Sequence, residues 1–160
     1  AAISDSATVA AIIAMLFSIG CMIGGLIYPK LYTYLKRKCF TAFLIIGAVG
    51  LVISACATTI PVLAIGFFIG GISFSSMQAA LMMLIGLICP AGRVGFVSAL
   101  MMIFVNLGGF LCSSWEMVIG IITGDSLYMP LFIGAAIFVI LAVILLVKSP
   151  FPKNSTEEIT

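Results

Sequence analysis

The side chains of this chain that could do chemistry are few. Of 160 residues only 8% are charged, and there is no histidine. That removes zinc sites of the H-E-x-x-H type, haem ligation through imidazole and imidazole acid–base catalysis. Cys21, Cys39, Cys56, Cys89 and Cys112 are scattered without a C-x-x-C pair, each in or beside an apolar run. They read as small buried hydrophobes, and no metal or cofactor is expected. What remains is polar side chains set inside apolar sequence. Ser73, Ser75, Ser76 and Gln78 fall in one run, and Ser98, Asn106, Ser113, Ser114 and Glu116 in the next. Hydroxyls and carboxamides bind solutes or tie helices together. An enzyme would need converging catalytic groups, and a chain with one acid inside its apolar runs is not expected to be one.

These groups are carried by a chain that is 64% hydrophobic, with a mean hydropathy of +1.40. A soluble domain averages about 45–50% apolar residues. No water-soluble packing of this length has an interior large enough for the excess. The chain is therefore read as an integral membrane protein, with the lipid bilayer as its first partner. No basic face exists outside short loops, which excludes a nucleic-acid partner.

A spanning helix needs about 20 predominantly apolar residues. Five runs qualify: residues 8–28, stopped by Pro29, then 39–57, 61–88, stopped by Pro90, 95–122 and 129–147. Pro61 and Pro130 fall at helix starts, where a missing N–H does no harm. The fold class expected is all-α, a polytopic bundle of five transmembrane helices. Residues 1–148 form the bundle, and 149–160, two prolines followed by polar and acidic residues, form a short disordered tail.

Alternation of the spans sorts the charges. Lys30, Lys36, Arg37 and Lys38, the loop with Arg93, and the tail with Lys148 and Lys153 all fall on one side, while Asp5 and Asp125 fall on the other. The positive-inside rule makes the basic side cytoplasmic. Lys30, Lys36, Arg37, Lys38 and Arg93 then act as loop anchors against the anionic inner leaflet of the plasma membrane. The C-terminus is cytoplasmic and Ala1 lies outside, with no signal sequence or initiating Met before it. A fragment lacking an odd number of upstream helices is expected.

Two segments carry a family resemblance. GGLIYPKLYTYLKRK, Gly24 to Lys38, resembles a degenerate second copy of the G-x-x-x-D-R-x-G-R-K loop of the major facilitator superfamily, with Tyr28 where the motif acid would stand. CPAGRVGFVSALMMIFVNLGGFL, Cys89 to Leu111, is similar to that family's loop between the tenth and eleventh helices. Pro90, Arg93 and Gly95 match, with Val94 intervening. The order of spans and loops resembles the C-terminal half, about the eighth to twelfth helices. The resemblance implies a partial major-facilitator fold and secondary transport of a small solute by alternating access, with the missing N-terminal half as the other wall of the site. It also implies that the tenth helix lines the path and the twelfth is peripheral. The alternative is a small polytopic subunit that packs against a partner protein.

The distribution of polarity selects candidate positions. The fifth span has no polar side chain and the second only Thr41 and Ser54, so both helices can face lipid. In the third and fourth spans, Gln78 lies roughly 15 Å above Ile88 and Asn106 roughly 16 Å above Gly95, at 1.5 Å per residue. Both sit near the midplane of a core about 30 Å thick. Gln78, Asn106, Ser75 and Ser76 are candidates to line a substrate cavity, or to bond across a helix interface instead. Glu116, beside Trp115 near the outer interface, is either a snorkelling acid or a proton-coupling or cation-recognising group. Gly20/Gly24, Gly66/Gly70 and Gly120/Gly124, with the stripe Ala10/Ala14/Ser18, permit close or sliding helix contacts. The length of the third span allows tilt, or a break near Gly70 and Gly71.

Overall fold

The computed structural model describes residues 7–35, 38–124 and 128–147, and among these there is no strand. Lipid offers no partner to an open backbone group, so each segment closes its hydrogen bonds within itself as a helix. The helices are α1 (Ala7–Leu35), α2 (Cys39–Ala55), α3 (Ile60–Ile88), α4 (Val94–Thr123) and α5 (Met129–Val147), with a 3-10 turn, Ala91–Arg93, leading into α4. Four are long and apolar enough to cross a membrane, while α2 has 17 residues. At 1.5 Å per residue α2 is about 25 Å long, just short of the hydrocarbon core.

The helix ends follow local chemistry. Thr59 is extended and Pro61 sits in the first turn of α3. Gly124 ends α4 in the left-handed region at φ 74°, its N–H donating to Gly120 O at 2.9 Å. A residue with a Cβ is strained there. One boundary departs from the sequence expectation. Pro29 does not stop α1, which runs on to Leu35 and carries Lys30 on a helix instead of a loop. Proline removes one N–H and crowds the carbonyl four residues back. That carbonyl belongs to Gly25, which has no side chain to resist adjustment. Beyond the proline, Thr33 Oγ1 donates to Lys30 O at 2.6 Å and to Pro29 O at 3.3 Å, capping carbonyls of the extension. Likewise α3 is continuous through Gly70 and Gly71, with no break.

In the packing, α3 is the hub. It lies along α1 on one side and α2 on the other, and α2 in turn packs on α5. Thus α2, expected to face lipid, does so along one stripe, Ile45, Val49 and Val52, while its other face is packed, with Thr41 and Ser54 both buried. Only α4 stands apart, touching α3 and α5 lightly, with no buried residue from Ala91 to Cys112.

Missing side chains set the α1–α3 distance. A Cβ on Gly20 would collide with Phe68 O, one on Gly24 with Ile72 O, and one on Gly71 with Phe17 O. The pair Gly66/Gly70 divides its work. Gly66 meets Ser54 and Gly50 of α2, whereas the position of a Cβ on Gly70 is open. Where two backbones approach this closely, dispersion and weak C–H to O contacts replace the hydrophobic drive that lipid does not supply.

One end of the bundle, the one that carries Lys30 and Lys38, holds a buried core. Tyr28, Cys39, Phe40, Phe43, Leu44, Ala80 and Ala142 form a buried cluster there. Tyr28 joins three helices: its hydroxyl donates to Met83 Sδ at 3.4 Å, and its ring lies 6.1 Å from that of Phe43. Hydroxyls pin the same region. Ser73 Oγ donates to Phe43 O at 2.6 Å and Ser76 Oγ to Gly24 O at 3.1 Å.

Candidate functional site: two cavities in series

Away from that end cavities open between the helices. A cleft of about 570 Å³ opens where the N-terminal half of α1, the C-terminal ends of α2 and α4 and the starts of α3 and α5 converge. The stripe Ala10, Ala14 and Ser18 does not make a helix contact there but lines this cleft. Small side chains leave the room that larger ones would fill. A second cavity, of about 380 Å³, runs deeper beside α2 and α3 to Gln78 and Leu81, with Met101 and Val105 of α4 and Phe138 of α5 on its other sides. The two share Phe17, Ser54 and Phe67 as lining residues, so they lie in series along the bundle.

The candidate residues divide between these spaces and the helix contacts. Gln78 is half-buried and lines the deeper cavity, where its Nε2 donates to Met102 Sδ of α4 at 3.3 Å. Asn106 is exposed, and its Nδ2 donates to Met102 O one turn back at 2.8 Å. Both carboxamides therefore converge on one methionine instead of on each other. Ser76 is wholly buried and committed to Gly24 O, and Ser75 is directed at Gly25 of α1. It is Ser73 that both bonds across to α2 and lines the deeper cavity.

Glu116 lines the first cleft about two helical turns inside the end of α4. Among the described residues it is the one carboxylate. Lys30, Lys38 and Arg93 are exposed at the opposite end of the bundle, while Lys36 and Arg37 lie outside the described residues, as do Asp5, Asp125 and the tail.

Three lining residues escaped the sequence reading. Phe17 and Phe67 look like any apolar helix residue, and nothing in their spacing marks them. Ser54 carried a usable signal as the only polar side chain in the second half of α2. It is 3% exposed and sits where the cavities meet.

An all-helical bundle with apolar outer faces, four membrane-length helices and polar-edged cavities between them defines a polytopic integral membrane protein. The model of the Major Facilitator Superfamily matches residues 2–159, and the chain belongs to that family of membrane transporters. No curated protein and no solved structure matches it.

Proposed function

We propose that the chain forms one wall of a path by which a small solute crosses the plasma membrane through alternating access. The observation that carries this reading is the serial arrangement of the two cavities through Phe17, Ser54 and Phe67. The cavities lead from the outer end toward the depth of Gln78, and the tyrosine-centred cluster closes the other end. In this reading the bundle is open outward, and a rocking motion against a second bundle would expose Gln78 inward. The lightly held α4 supports the presence of that second bundle, which would be the N-terminal half of the transporter. A partner protein seated on α4 is the other occupant, and cross-linking from an α4 cysteine would separate the two.

Site roles follow from position. Gln78 contacts solute from the deeper cavity, with Asn106 beside it and Ser75 and Ser76 holding α3 against α1. Glu116 serves as the coupling acid at the outer end. Lys30, Lys36, Arg37, Lys38 and Arg93 hold the cytoplasmic loops at the inner leaflet, with the C-terminus inside and Ala1 outside. The test is two-sided alkylation. In a cysteine-free background, Val105→Cys should react with an impermeant maleimide from either face of the membrane, because the deeper cavity opens alternately. Labelling from one face alone would sink the reading.

A further inference from the structure

The outer cleft presents hydrogen-bond acceptors and one negative charge, and among the described residues no cationic or amide side chain lines it. We propose that it is a recognition site for a hydrophobic organic monocation, an inference that rests on the transporter reading and adds a substrate class to it. Its volume of about 570 Å³ falls within the roughly 300–1,000 Å³ usual for small-molecule sites. Among the described residues Glu116 is the one charged lining group. An anion entering the cleft would meet no counter-charge and one repelling carboxylate. A sugar would need a dense set of paired donors and acceptors, and the walls are mostly alkyl and aromatic.

The polar atoms that are present point to a donor-bearing cation. Ser18 Oγ spends its proton on Ala14 O at 2.8 Å, leaving its lone pairs to accept. Ser54 is almost fully buried, yet its hydroxyl has no hydrogen bond among the described residues and opens on both cavities. Its lone pairs are available to a donor-bearing ligand where the two cavities meet. Phe17, Phe67 and Tyr128 add aromatic rings to the lining, and the negative quadrupole of a ring face attracts a cation. Charge, aromatic walls and unspent acceptors thus converge on one ligand chemistry.

The probes are tetraphenylphosphonium and its anionic counterpart of like shape, tetraphenylborate, with the full natural chain in lipid nanodiscs. Expected are saturable phosphonium binding and no displacement by excess borate. Glu116→Gln should weaken that binding about tenfold or more, a change of about 1.4 kcal/mol per decade. Glu116→Asp, which keeps the charge, should stay within a few-fold of wild type. Equal affinity of wild type and Glu116→Gln, or equal affinity for the two probes, overturns the proposal. Protonated dibenzylamine, which carries N–H donors, should lose more affinity than tetraphenylphosphonium on Ser54→Ala, and equal losses overturn the contact with Ser54. Glu116-dependent binding in a chain that labels from one face only would leave this site standing and sink the transport reading. Two-sided labelling without Glu116-dependent binding does the reverse.

Discussion

Met102 is the residue on which the carboxamides of Gln78 and Asn106 meet, one through its sulfur and one through its carbonyl oxygen. The bond from Gln78 is the softer, because a thioether is a weak acceptor. Such a contact can be exchanged at small cost, as the proposed solute contact requires. Gln78→Ala should therefore raise the apparent KM for solute at least several-fold, with protein level unchanged in the membrane. A variant with wild-type uptake kinetics removes Gln78 from the path. Ser76 is a contrast. Its hydroxyl is sealed against Gly24 O, so Ser76→Ala loses one interhelical bond, worth about 0.6 kcal/mol on average in membrane helices. Thermal unfolding in detergent should show a small drop in Tm, and KM should not move.

At the scale of the element, α3 makes different demands on its two adjacent glycines. Gly71 faces the backbone of α1 at Phe17, while the Cβ position of Gly70 opens onto the deeper cavity. Gly71→Leu forces α1 and α3 apart, and overpacking of this kind costs about 1–3 kcal/mol or more. Its product should be poorly expressed and lose the cooperative melt. Gly70→Leu should fold, with a melting temperature near wild type, but should fill the cavity and lower uptake. If the two variants melt alike, the faces of α3 are assigned wrongly. The extension of α1 through Pro29 belongs at this scale too. The proline signal is a rule about one missing N–H and one crowded carbonyl, and here the crowded carbonyl belongs to a glycine while Thr33 caps carbonyls beyond the proline.

For the whole molecule, the governing feature is polarity of the bundle from end to end. Exposed Lys30, Lys38 and Arg93 mark the closed end, and Glu116 marks the open one. Replacing Lys30, Lys36, Arg37 and Lys38 together by Gln removes four of the seven basic residues. The positive-inside bias then falls, and a fraction of molecules should insert inverted. Impermeant labelling of a cysteine placed in the tail would report that fraction from outside intact cells. A population that remains wholly inside-facing would show that the orientation is fixed elsewhere.

The amino-acid sequence by itself determined the class, the helices and the family resemblance. Apolar runs near 20 residues permit only helices in lipid, and prolines, glycines and charges punctuate them locally. It also brought Gln78, Asn106 and Glu116 forward, because a polar group in an apolar run is conspicuous whatever surrounds it. Which face of each helix meets which neighbour was decided only by the tertiary structure. Ser73, Ser75 and Ser76 lie within one turn, yet they address α2 and the cavity, Gly25, and Gly24 respectively. Their chemistry is identical, and their roles differ because each successive residue turns about 100° around the helix axis. Nor could composition tell which face of α2 packs against the bundle, since in a membrane chain a face toward lipid and a face toward protein are both apolar.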